Sequence, residues 1–184
     1  MSKLKTALLS TVVLGATCLS HPVFADQQGN AIVSKTNFDS ASKTFEVTAQ
    51  QSDNGKAIKG ISVAIWSEEN GQDDLKWYTN SNVSGGKVKV QFNLANHGNR
   101  AGNYITHIYT NYTDGSCSGV ALENTKINPK APQISVKNGA IQMTTDIYAP
   151  SNGQIKYAVW SEENDQDDLR WYEDSGKGIT QADL

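Results

Sequence analysis

Two nearly identical fifteen-residue stretches hold most of the side chains in this sequence that could do chemistry. Ala64–Tyr78 reads AIWSEENGQDDLKWY and Ala158–Tyr172 reads AVWSEENDQDDLRWY, differing only at Ile65/Val159, Gly71/Asp165 and Lys76/Arg170. Each copy sets carboxylates and amides between tryptophans. Flat indole faces cover the apolar faces of pyranose rings, and carboxylates and amides take hydroxyls, so one reading is a sugar- or peptide-binding surface. The candidate residues are Trp66, Glu68, Asp73, Asp74, Trp77 and Tyr78, with Trp160 and Trp171 in the second copy. A plainer reading makes the Trp and Leu residues core and the loop a solvated turn. A third makes the loop an oxygen-rich Ca²⁺ site, but the D-x-[DN]-x-[DN]-G spacing is absent and no metal site is assigned.

Catalytic groupings are weaker. His97 and His107 with distant carboxylates could bind zinc or act as acid and base, but they lack helical zinc-motif spacing. They read as partly exposed strand histidines in ordinary hydrogen bonds. Cys117 with His107 could form a nucleophile–base pair, yet nothing local marks an activated thiol. Glu68 and Asp74 could serve as glycosidase acids. A loop copied twice suits a binding or structural element better than an active site, so a non-enzyme with no cofactor is expected.

The elements that must carry these residues are strands. Short apolar alternations separated by turn signals run from Ala31 onward. Phe45, Val47 and Ala49 share one face of Lys43–Gln50, and Ile61, Val63 and Ile65 one face of Gly60–Ser67. Leu75–Asn80 follows. Val88, Val90, Phe92 and Leu94 point one way from Lys87–Leu94 while Lys87, Lys89, Gln91 and Asn93 point the other. Asn103–Tyr112 and Cys117–Glu123 complete about seven strands with no helical period. The pattern predicts an all-β, immunoglobulin-like β-sandwich without the Cys…Trp…Cys signature, with a small closed β-barrel as the alternative.

Trp66 to Trp160 and Trp77 to Trp171 are each 94 positions apart, so one unit is used twice. The first spans 31–126. Residues 127–132, with Pro129 and Pro132, read as an extended linker, and 133–184 as a partial second unit that stops before its last three strands. An incomplete sandwich leaves a sheet edge and an apolar face, which implies packing on the first unit, partial disorder, self-association with another chain, or truncation of a longer protein.

Residues 1–25 read as an export signal: Lys3 and Lys5, an apolar run Ala7–Leu19, and Val23-Phe24-Ala25 before Asp26. Gly15-Ala16-Thr17 before Cys18 matches a lipobox poorly. Cleavage would leave Cys117 alone, so the exported fold is expected to rely on its core rather than an internal disulfide, as in a Gram-positive secreted protein. It would also leave fourteen basic against nineteen acidic residues, with no basic stripe for nucleic acid and no membrane span. A secreted, extracellular location is expected.

With these residues in view, the chain resembles the group B streptococcal Bsp-like repeat family. The resemblance rests on Trp66–Tyr78 and its copy Trp160–Tyr172, joined by Asn96-His97 and Gly102-x-Tyr104-x-x-His107-x-Tyr109. It implies a repeat that decorates secreted or surface-bound streptococcal proteins, often beside a peptidoglycan-cleaving domain, and that helps place them at the cell wall and affects cell shape. The expected partner is cell-wall glycan or peptidoglycan. A structural spacer or homotypic adhesin, and a truncated remnant of a peptidoglycan hydrolase, are the alternatives. Set against the family pattern, this stretch is expected to act without a hydrolase domain, with an unfinished second repeat and without a sorting signal, so that wall association is non-covalent or is supplied by a missing C-terminal part.

Overall fold

Alternating apolar residues pair two sheets face to face in the first unit. The computed structural model describes residues 31–183 apart from 139, 151, 152, 154, 164 and 175–178, so the export-signal reading of residues 1–25 lies outside the described residues. The strands are β1 (Ala31–Lys35), β2 (Thr44–Gln51), β3 (Ile58–Ser67), β4 (Lys76–Asn80), β5 (Lys87–Asn93), β6 (Gly102–Tyr112) and β7 (Cys117–Ile127). One sheet has the order β1-β2-β5 and the other β4-β3-β6-β7. All the pairings are antiparallel. No sheet closes into a barrel, which leaves the sandwich.

The core lies between the sheets. Phe45, Val47 and Ala49 of β2 and Val88, Val90 and Phe92 of β5 meet Ile61, Val63 and Ile65 of β3 and Ile108 of β6. The Phe45 and Phe92 rings stack with centroids 4.4 Å apart. Burying each such ring contributes roughly 2–3 kcal/mol. Leu94 leaves the strand to open a single 3-10 turn, Leu94–His97, capped by the Asn93 side chain and ended by Gly98 at φ 66°. β7 runs four residues beyond the end predicted from its alternation, because Thr125 and Ile127 resume inward positions after a register shift.

The second unit repeats the pairing scheme. β8 (Gln133–Lys137), β9 (Ala140–Thr144) and β12 (Ile179–Asp183) form a sheet of order β12-β9-β8, and β10 (Ile155–Val159) pairs β11 (Arg170–Asp174). At an offset of 94, β9, β10 and β11 fall on β2, β3 and β4. β12 takes the place of β5, a strand that sequence reading did not assign. Met143 and Tyr157 form a second small core. Cys117 is half-buried at the start of β7.

Candidate functional site

Strand alternation divides the repeated aromatics between the two faces of the four-stranded sheet. Tyr78 is opposite Val63 and turns into the sandwich. Trp77 is opposite Ala64 and turns outward. The outer face carries the register row Trp77–Ala64–His107–Ala121 and, beside it, Thr79–Ser62–Tyr109–Gly119. Large rings therefore stand at some positions of the face and small residues at the others. Trp77, 53 % exposed, leans over the small β3 residues to bring its ring centroid 5.7 Å from that of Tyr109. A side chain at Gly119 would meet the Tyr109 ring, since a Cβ there would lie 3.2 Å from Cε1. Trp66 is outward by register but only 8 % exposed, its ring meeting His107 edge-on at 4.9 Å.

The loop between β3 and β4 is held by its own carboxylate. Asp74 Oδ1 accepts from the Ser67 amide at 2.8 Å, closing the hairpin. Its Oδ2 lies 2.9 Å from His97 Nδ1. A carboxylate only accepts, so Nδ1 carries the proton. His97 Nε2 then faces Tyr78 Oη at 3.1 Å, and Asn96 Nδ2 donates to that same hydroxyl at 3.3 Å. The His97 ring is enclosed by Phe92, Tyr104 and Tyr78. Burial lowers its pKa, partly offset by the hydrogen bond and charge of Asp74. The contact with Asp74 is thus a hydrogen bond from a neutral imidazole rather than an ion pair at neutral pH. Burial likewise lowers the pKa of His107.

The expectation of two partly exposed strand histidines is corrected for His97. It sits in the 3-10 turn, its side chain fully buried. His107 is a half-buried strand residue. His107 and Cys117 are not brought together: Cys117 faces Asn111, four positions along β6, which is about 13 Å of strand. Glu68 is exposed at the loop's start, and its carboxylate accepts from Asn103 Nδ2. Asp73 is exposed. Glu68 and Asp74 point to separate partners, and among the described residues no group of three or more His, Cys, Asp or Glu could hold a metal.

The second copy keeps the hairpin. The Ser161 amide donates to Asp168 Oδ1 at 2.9 Å, Ala158 faces Trp171, and Asp165 takes the left-handed φ of 62° where Gly71 has 72°. Trp171 is 63 % exposed, like Trp77. Trp160 is 46 % exposed, unlike Trp66, because the β10–β11 sheet has two strands among the described residues and nothing there matches His107 of β6. Tyr109, Asn103 and Gly119 were not singled out by the repeat. The alternation Asn103, Ile105, His107, Tyr109 marks one face of β6, but only the register with β3 and β7 sets it beside Trp77.

No curated protein matches the chain. The model of the GBS Bsp-like repeat matches residues 34–127, which is 94 of the 184 residues and takes in β2 to β7 and the last two residues of β1. The match covers the hairpin, the buried His97 and the outer aromatic face together, and the chain belongs to the GBS Bsp-like repeat family.

Proposed function

We propose that this protein is a secreted, non-catalytic cell-surface repeat module that associates with bacterial cell-wall glycan, peptidoglycan or an attached polysaccharide, through the outer face of the β4-β3-β6-β7 sheet. The observation that carries the reading is Trp77, held exposed against Tyr109 above Ala64 and Gly119. An exposed indole at a fixed angle to a second ring costs the monomer apolar surface in water and offers a preorganised, flat apolar patch. Thr79, two positions along β4 on the same face, offers a hydroxyl beside the patch, and Glu68 and Asn103 lie about 13 Å farther along the sheet, beyond Trp66. In this reading Asp74 and Tyr78 support the hairpin from inside, and Trp171 repeats the exposed ring in the second unit.

Retention of the purified chain from Asp26 onward on isolated peptidoglycan sacculi, with and without attached polysaccharide, tests this. Trp77→Ala should reduce retention about tenfold, the loss expected of a central aromatic anchor. Retention that is unaffected in Trp77→Ala and Tyr109→Ala would refute the assigned face.

A spacer or homotypic adhesin is favoured by a different observation. Ile134 and Val136 of β8 are 68 % and 66 % exposed on the side of Met143 and Ile141. Concentration-dependent dimerisation that Ile134→Lys abolishes would support that role.

A further inference from the structure

The two units, almost identical in their hairpins, differ most informatively in the connection that follows their second strand. In the first unit it is Ser52-Asp53-Asn54-Gly55, a polar turn closed by the Gly55 amide on Ser52 O and passing through Asn54 at φ 60°. The equivalent positions, 94 residues on, are Asp146-Ile147-Tyr148-Ala149. Ile147 is 2 % exposed and belongs to the hydrophobic core of the first unit, not the second.

We propose that the base of the first unit is a docking groove for this Asp-Ile-Tyr-Ala segment of the unit that follows it, so that tandem units lock head to tail into one cooperative body. The segment is held through a single parallel bridge between Arg100 and Tyr148. The Tyr148 amide donates to Asn99 O at 2.8 Å and the Ala101 amide donates to Tyr148 O at 2.8 Å, on either side of Arg100. Arg100 Nη1 donates to Ala149 O at 3.2 Å. Main-chain bonds of this kind fix register, and the apolar side chain between them supplies the burial. Charge finishes the fit: the Asp146 carboxylate lies 3.6 Å from Lys43 Nζ of the first unit and 3.1 Å from Lys130 Nζ of the linker. The linker is tied to the same segment, since the Lys130 amide donates to Ile147 O and Thr145 Oγ1 donates to Lys130 O.

The polarity of the array follows from the same comparison. Repeat arrays bury a face between neighbours and need a capping member whose outer face is polar. Asp53, standing where Ile147 stands, gives the first unit no apolar plug for a preceding unit. The first unit is built as a cap and the second as a docking member. This inference is independent of any glycan ligand.

Amide hydrogen exchange on the full chain tests it, comparing the unaltered protein with Ile147→Asp and the conservative Ile147→Val. The Ala101 and Tyr148 amides should exchange slowly, in step with the amides of β3. Ile147→Asp should accelerate both about tenfold or more, and Ile147→Val should leave them nearly as protected. If Ile147→Asp also strips protection from β3, a residue of the second unit governs the first, and the coupling stands. Exchange of Ala101 and Tyr148 at open-loop rates in the unaltered chain, or no acceleration in Ile147→Asp, would overturn it.

Discussion

His97 joins three parts of the first unit through one ring: Asp74 of the hairpin loop, Tyr78 of β4 and its own 3-10 turn. Replacing it with Gln keeps the volume roughly but leaves Asp74 and Tyr78 short of a partner, which should destabilise the fold by roughly 1–3 kcal/mol. Its titration gives a second readout. The unfolded chain binds a proton near the ordinary imidazole value of 6.5, whereas burial lowers the folded value. Stability is therefore full above about pH 6.5 and declines as pH falls from there toward the folded value, with His107 acting in the same direction. Denaturation midpoints measured from pH 7.5 to pH 5 should fall for the unaltered chain and fall less steeply for His97→Gln. Equal slopes would show that His97 is not buried neutral. The sequence exposed the type of this residue but not its role. Asp74 and His97 are 23 positions apart, and only the closure of the 3-10 turn against β4 brings them into contact.

The period-two pattern revealed the strands because burial acts on every second residue, and Phe45, Val47, Val88, Val90 and Phe92 all lie inside as their alternation predicts. Register was not legible. It decided that Trp66, Trp77 and Tyr78, which all belong to the repeated motif, meet three different surroundings: a covered outer position, an open outer position and the interior. Turn chemistry was legible where φ is positive. Gly71 and Asp165 occupy equivalent left-handed positions, which explains why the copies exchange these residues and suggests which changes the turn tolerates. Gly71→Asp should be nearly neutral in thermal unfolding, while Gly71→Val should cost about 1–2 kcal/mol. At Gly119 the constraint is space rather than φ. Gly119→Val should push the Tyr109 ring off its place beside Trp77 and lower wall retention while the chain stays folded, as circular dichroism would report.

At the scale of the whole molecule, the chain is a family repeat, residues 34–127, whose core is completed by Ile147 from the unit after it. The duplication was legible from the 94-residue offset, but the docking was not, because Ile147 lies in a connection that has lost its likeness to the first copy. An inner scaffold, Asp74–His97–Tyr78, supports an outer face, Trp77–Tyr109, and the proposed binding belongs only to the second. The measurement that tests this most directly is sacculus retention of the double variant Trp77→Ala/Tyr109→Ala beside the unaltered chain, each confirmed folded by its thermal transition. The unaltered chain should be retained and be displaced by free wall fragments, with the folded double variant flowing through. Equal retention of a folded double variant would contradict this assignment.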